Sequence, residues 1–318
     1  MSFRGHNKVK KVCARFAVMV LALCCLAACA QQQSVETKAG KQAVDGWVRY
    51  DLPDFSSVYS LAFIKPEQGW AAGQHGSLFT FNGTQWTKSA AATTNQIFSV
   101  TFPGGSRGFG VGSAGTILSW DGSTWRRYDL ALDWDIMDVF FLSSDEGWAV
   151  GENSVLFHYK NYEWKEYAAP VIGYLTRVFF SGQDNGWAVG NNGIIMHYDT
   201  GTWSAAASPT KKNLYGIYFP SKDTGWAVGS FGTILQWRDG RWKQVASPVE
   251  NHLLDIHFAA KDRGFIVGAS GVILSYTNGT WQEIPSPTPK ALYAVTTDTA
   301  GDLWVSGKGG KIFKRTMQ

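Results

Sequence analysis

Three charged residues stand where chemistry would need them. Asp138, Arg177 and Asp255 occupy the same place in different copies of a repeated unit. Two carboxylates facing one space are what acid–base hydrolysis of a sugar bond requires, and a nearby arginine would grip an anionic substrate. The competing reading is an Asp138–Arg177 ion pair with Asp255 in solvent; it is favoured, because structural ion-pair networks imitate sites. His158 and His197 form a second set, at matching positions beside Tyr159 and Tyr198. Two imidazoles without a further ligand make a poor zinc site, so packing is expected and no metal. The sequence contains no P-loop, no zinc-peptidase helix motif and no nucleophile elbow. Its cysteines are Cys13, Cys24, Cys25 and Cys29, so residues 30–318 can form neither a disulfide nor a thiolate site. No catalytic set and no cofactor are expected.

The repeat that positions these residues is plain. Gly-Trp-Ala-Val-Gly begins at Gly147, Gly186 and Gly225, with near-copies at Gly69, Gly108 and Gly264, each 39 residues from the next. A second ladder, Trp47, Trp86, Trp125, Trp164, Trp203, Trp242 and Trp281, keeps the same spacing, and Leu303–Gly307 is a degenerate seventh copy of the first. A fixed period of this length marks a repeat architecture. One unit, 215–245, reads as four short strands with an Asp-Gly hairpin turn between the last two. Four strands per unit is a propeller blade. The fold expected is therefore all-β, a seven-bladed propeller of four-stranded blades over residues 46–318. The last repeat lacks a fourth strand, and Trp47 carries fourth-strand register. One N-terminal strand, 46–50, should close the ring with three C-terminal strands, hiding the edges. A monomer is expected.

Aligning first strands gives two rows beside the channel. They are Ser60, Ser99, Asp138, Arg177, Gly216, Asp255, Ala294 and Ala62, Thr101, Phe140, Phe179, Tyr218, His257, Thr296. The linkers between blades vary in chemistry at constant length, which suits a binding face on a rigid scaffold. Trp134, Asp135, Tyr174, Lys212, Asn251 and His252 are its candidate residues, with Trp134 and Tyr174 as an aromatic anchor. The alternative is that these linkers are solvated connectors.

Residues 1–28 read as an export signal: five basic residues, then an apolar run from Phe16 to Ala28 that is too short to span a membrane. Leu26-Ala27-Ala28-Cys29 resembles the bacterial lipobox, which makes Cys29 the expected lipidation site. The other reading is an ordinary secretory signal. By analogy with the lipoprotein sorting rule, Ala30 after the cysteine favours the outer membrane in a host that has one. Polar residues 29–45 read as a flexible tether. Without the signal, 24 basic and 25 acidic side chains remain. No global basic field marks a nucleic-acid partner.

The unit "GWAVGSFGTILQWRDGRW" resembles the repeat of the photosystem II stability/assembly factor family and its bacterial lipoprotein relatives, over essentially all of residues 46–318. The resemblance implies a seven-bladed propeller that binds a membrane protein during assembly and is not a catalyst. The family's paired glycines before Thr-Trp are absent from turns such as "KNYEW", and no photosynthetic partner is carried over. "SWDGSTW" at 119–125 resembles the Asp-box of sialidase-type propellers, one residue short; such boxes stabilise hairpins and do not imply hydrolysis. The expected function is a membrane-anchored scaffold for a protein partner of the cell envelope, aiding assembly or stability of a complex. The alternative is a carbohydrate-binding or carbohydrate-active propeller.

Overall fold

The computed structural model describes residues 41–44, 46–128 and 130–317. The expected signal and Cys29 lie outside the described residues. Seven antiparallel sheets follow one another around a ring. Blades 1 to 6 span 58–89, 97–128, 136–166, 175–205, 214–245 and 253–283, each four strands in sequence order. The seventh sheet joins Leu292–Thr297, Leu303–Gly307 and Lys311–Arg315 to the N-terminal strand Trp47–Asp51. The first strand of each blade packs on that of the next, the last on the first, so the ring is closed. A fifth strand, Lys41–Val44, pairs antiparallel with Trp47–Asp51. The N-terminus thus supplies two strands where one was expected, and the sheet begins inside the stretch read as a tether. The added strand covers what would otherwise be the outer edge.

The repeated glycines are explained by close approach. In each of blades 1 to 6 a phenylalanine at or just past the end of the first strand lies on the leading glycine, as Phe219 does on Gly225 and Phe102 on Gly108; a Cβ there would enter the ring. The trailing glycine passes against the linker carbonyl: Gly229 meets Asn213, Gly190 meets Tyr174 and Gly151 meets Asp135. One end of Gly-Trp-Ala-Val-Gly therefore admits a ring and the other admits the chain entering its own blade.

The two tryptophan ladders meet between blades. Trp125 stands edge-on to Trp70 at 5.4 Å and 87°, Trp242 to Trp187 at 5.5 Å and 86°, and Trp281 to Trp226 at 5.4 Å and 89°. Each pair joins a fourth strand to the second strand of the preceding blade. The indole N–H groups of Trp125, Trp242 and Trp281 are buried and reach no oxygen. Burying one such indole contributes roughly 5 kcal/mol of transfer free energy before entropy is charged against it. The outer hairpins are held locally: Asp121 Oδ1 accepts the N–H groups of Ser123 and Thr124, both at 2.9 Å, and Asn82 Oδ1 does the same for Thr84 and Gln85 at 3.0 Å. The sialidase-like box is thus a turn device.

Candidate functional site

The inner strands carry a register shift near their start, between Ile136 and Asp138, Leu175 and Arg177, and Leu253 and Asp255 among others. A bulge of this kind re-aims the side chain that follows it. The first axial row thereby reaches the neighbouring blade. Ser60 Oγ accepts the N–H of Val100 at 3.1 Å, Asp138 Oδ2 that of Val178 at 3.0 Å, and Asp255 Oδ2 that of Val295 at 2.9 Å.

Arg177 connects two of these acceptors. Its guanidinium lies 3.6 Å from Asp138 Oδ1 and 3.5 Å from Asp255 Oδ1. Asp255 is therefore not solvated, as the favoured sequence reading had it: its side chain is 16% exposed and shares Arg177 with Asp138. The reason is reach, since the long arginine side chain spans the channel from blade 4 to blade 6. Burial pushes both carboxyls above the usual range, and the Arg177 charge opposes this without cancelling it. Each carboxylate holds a backbone N–H with one oxygen and the arginine with the other. An arginine occupies the space between them that a sugar would need. The geometry is that of a strut across the axis.

The second axial row forms an aromatic arc. Phe140, Phe179, Tyr218 and His257 succeed one another with ring centroids 5.2, 4.7 and 5.1 Å apart. His257 Nε2 pairs with Thr297 Oγ1 at 2.9 Å, and burial lowers its pKa to about 4. His158 and His197 each stack on a tryptophan of their own blade, Trp148 at 4.1 Å and Trp187 at 4.0 Å. Their Nε2 atoms pair with Glu146 at 3.1 Å and Asn185 at 2.8 Å.

The linkers share their end of the ring with the turns between second and third strands. Those turns bind two linkers each. Ser230 donates its N–H to Asn213 O of its own linker, and Gly232 donates to Asn251 O of the next, both within 2.9 Å. Some linker side chains complete the same clasp: Asp135 Oδ1 accepts from Ala114 N–H at 3.0 Å, and His252 Nδ1 from Phe231 N–H at 3.3 Å. Asp135 and His252 therefore hold blades together from the candidate face. Burial raises the Asp135 carboxyl, and Glu152 beside it is raised by burial and by the Asp135 charge. Tyr174 turns inward. Its hydroxyl lies 2.7 Å from Met137 Sδ, and burial pushes its phenol far above the ordinary range. Among the described residues no ring contact joins it to Trp134. Lys212 extends over Phe231, with Nζ 5.8 Å from the ring centroid.

Six large apolar side chains are exposed among the described residues, and four of them lie at this end: Phe55 (51%), Trp134 (39%), Ile172 (94%) and Phe231 (64%). Alignment of linker rows found only Trp134. Ile172 sits two residues earlier in its linker than Tyr174. Phe231 belongs to a turn, not a linker, at a position whose φ is positive in each of blades 1 to 6, as at Asn153, Asn192 and Ser270.

No family model matches the chain, and no curated protein matches it. Solved structures do. The chain is similar to YCF48 bound to a D1 peptide, at 18% identity and a TM-score of 0.74, over 88% of this chain and 100% of that one. It is similar to YCF48 from Cyanidioschyzon merolae at 18% identity and 0.70, over 85% and 98%. The WD40 propeller domain of Doa1 matches at 10% identity and 0.72, over 88% and 98%. These likenesses show the fold, a propeller like those of the photosystem II assembly factors.

Proposed function

We propose that this chain is a lipid-anchored, non-catalytic scaffold of the cell envelope that docks a protein partner on its linker face and so aids assembly or stability of a complex. The observation that carries the reading is the gathering of Phe55, Trp134, Ile172 and Phe231 at one end of the ring. Scattered exposed apolar residues are ordinary; several at one end, ringed by polar linkers, suit an interface core. A propeller of the same fold, YCF48, has been seen with a D1 peptide bound. The signal sequence and Cys29 support the anchor and the envelope location. The strut at Arg177 supports the absence of hydrolysis at the axis.

The test is capture of the tagged full-length protein from native membranes after brief cross-linking. A near-stoichiometric membrane protein should accompany it and should be lost from the Trp134→Ser/Ile172→Ser double variant, whose circular dichroism stays unchanged. Recovery of the propeller alone, with binding to glycans in a glycan screen, would overturn the reading.

A further inference from the structure

The N-terminal strand pair fixes where the chain enters the propeller. In every blade the fourth strand runs toward the linker end, because the linker follows it. Trp47–Asp51 holds the fourth-strand place beside Lys311–Arg315, so it runs the same way. Lys41–Val44 is antiparallel to it, with Lys41 opposite Tyr50 and Val44 opposite Trp47. The added strand therefore starts at the linker end and finishes at the hairpin end. Whatever precedes Lys41 joins the ring on the linker side.

Cys29 lies twelve residues before Lys41. An unstructured chain of that length has its ends roughly 20 Å apart. The eight-residue first strands, such as Val58–Lys65, run about 26 Å from the linker end to the other. An acyl anchor on Cys29 would thus hold the linker end nearer the bilayer than the hairpin end. The reverse placement would need a nearly extended connection, about 40 Å at most, laid along the whole height of the blade.

What the linker end presents fits a lipid surface. Phe55, Trp134, Ile172 and Phe231 come from the linkers into blades 1, 3 and 4 and from a turn of blade 5. Apolar points set around a ring suit a planar surface. Aromatic rings settle at the headgroup level, and aliphatic side chains reach the acyl boundary. The exposed charges of the linkers are of both signs, Lys211, Lys212 and Lys290 against Asp133 and Glu250. The contact is apolar and needs no anionic lipid.

We infer that the linker face rests on the bilayer surface, with Ile172 and Phe231 entering the headgroup layer. The inference rests on the anchor at Cys29 in the reading above and deepens that reading: a protein that docks on this face displaces lipid and so lies in the same membrane.

The test reconstitutes the full-length lipoprotein, alone, into phosphatidylcholine vesicles that contain a lipid with a nitroxide on its acyl chain. Residues 30–318 contain no cysteine, so Ile172→Cys, Phe231→Cys or Ser123→Cys accepts a single thiol-reactive fluorophore. All three side chains are exposed, so the fold tolerates the changes. Labels at positions 172 and 231 should show blue-shifted emission and quenching by the nitroxide, unchanged in high salt. The label at position 123, in a hairpin turn at the other end, should keep its emission in water. Mass spectrometry of the N-terminal peptide reads the anchor separately. Acylated Cys29 with no quenching at 172 and 231, or with quenching at 123, would overturn the orientation and leave the anchor standing. Unmodified Cys29 would overturn the anchor and this inference with it. Partner docking does not enter, since the vesicles hold no other protein.

Discussion

Replacing Arg177 by methionine tests the axial strut. The variant keeps the stem and removes the charge between Asp138 and Asp255. At an effective dielectric of about 20, each contact at 3.5–3.6 Å supplies about 5 kcal/mol of attraction. Desolvation of the guanidinium offsets much of the sum, and breaking a buried pair costs about 3–5 kcal/mol net. For a chain of this size that lowers the melting temperature by roughly 10 °C at pH 7.5. The loss should depend on pH. Both carboxyls already sit above their unfolded range, and losing the arginine raises them further. A carboxyl raised in the folded state gives its full stability below the unfolded pKa of about 4 and loses it as pH rises through the folded value. The deficit against the parent should therefore shrink between pH 7.5 and pH 4.5. Adding Asp138→Asn and Asp255→Asn should restore part of the stability at pH 7.5. Denaturant titrations at the two pH values read this directly. An unchanged midpoint, or a deficit equal at both, would refute the strut.

Further predictions follow from the same contacts. Gly229→Ala drives a methyl group into the Asn213 carbonyl and should destabilise by about 1–3 kcal/mol, seen as a lower urea midpoint at constant slope. His257, with its pKa lowered to about 4, contributes stability above about pH 6.5 that is lost as pH falls toward 4, by about 3 kcal/mol in all. His257→Gln should flatten that part of the stability–pH curve in denaturant titrations. Trp134→Ala should leave the melting temperature within about 2 °C, because the ring is well exposed, while weakening partner capture at least tenfold.

The ring was legible because its information is periodic. The 39-residue spacing located every blade, and the missing fourth strand of the last repeat pointed to Trp47 for closure. What the spacing could not give was distance across the axis. Asp255 lies in the right row, yet nothing in a row says that an arginine two blades away reaches it. Tyr174 and Trp134 occupy adjacent rows of the linkers, and only side-chain packing decides that one turns inward to Met137 while the other stays out. Lys41–Val44 has no repeat counterpart, so periodicity was silent on it. Phe231 lies in a turn between second and third strands, outside the linker rows, so linker spacing carries no signal for it.

Site-resolved photocross-linking in the native host tests partner docking at the linker face. A photoreactive residue is placed at Trp134, Ile172 or Phe231 on the linker face, and at Ser123 in the opposite turns of blade 2. One discrete partner adduct is expected from the three linker-face positions and none from Ser123. Adducts from Ser123 alone, or from no position, would contradict it.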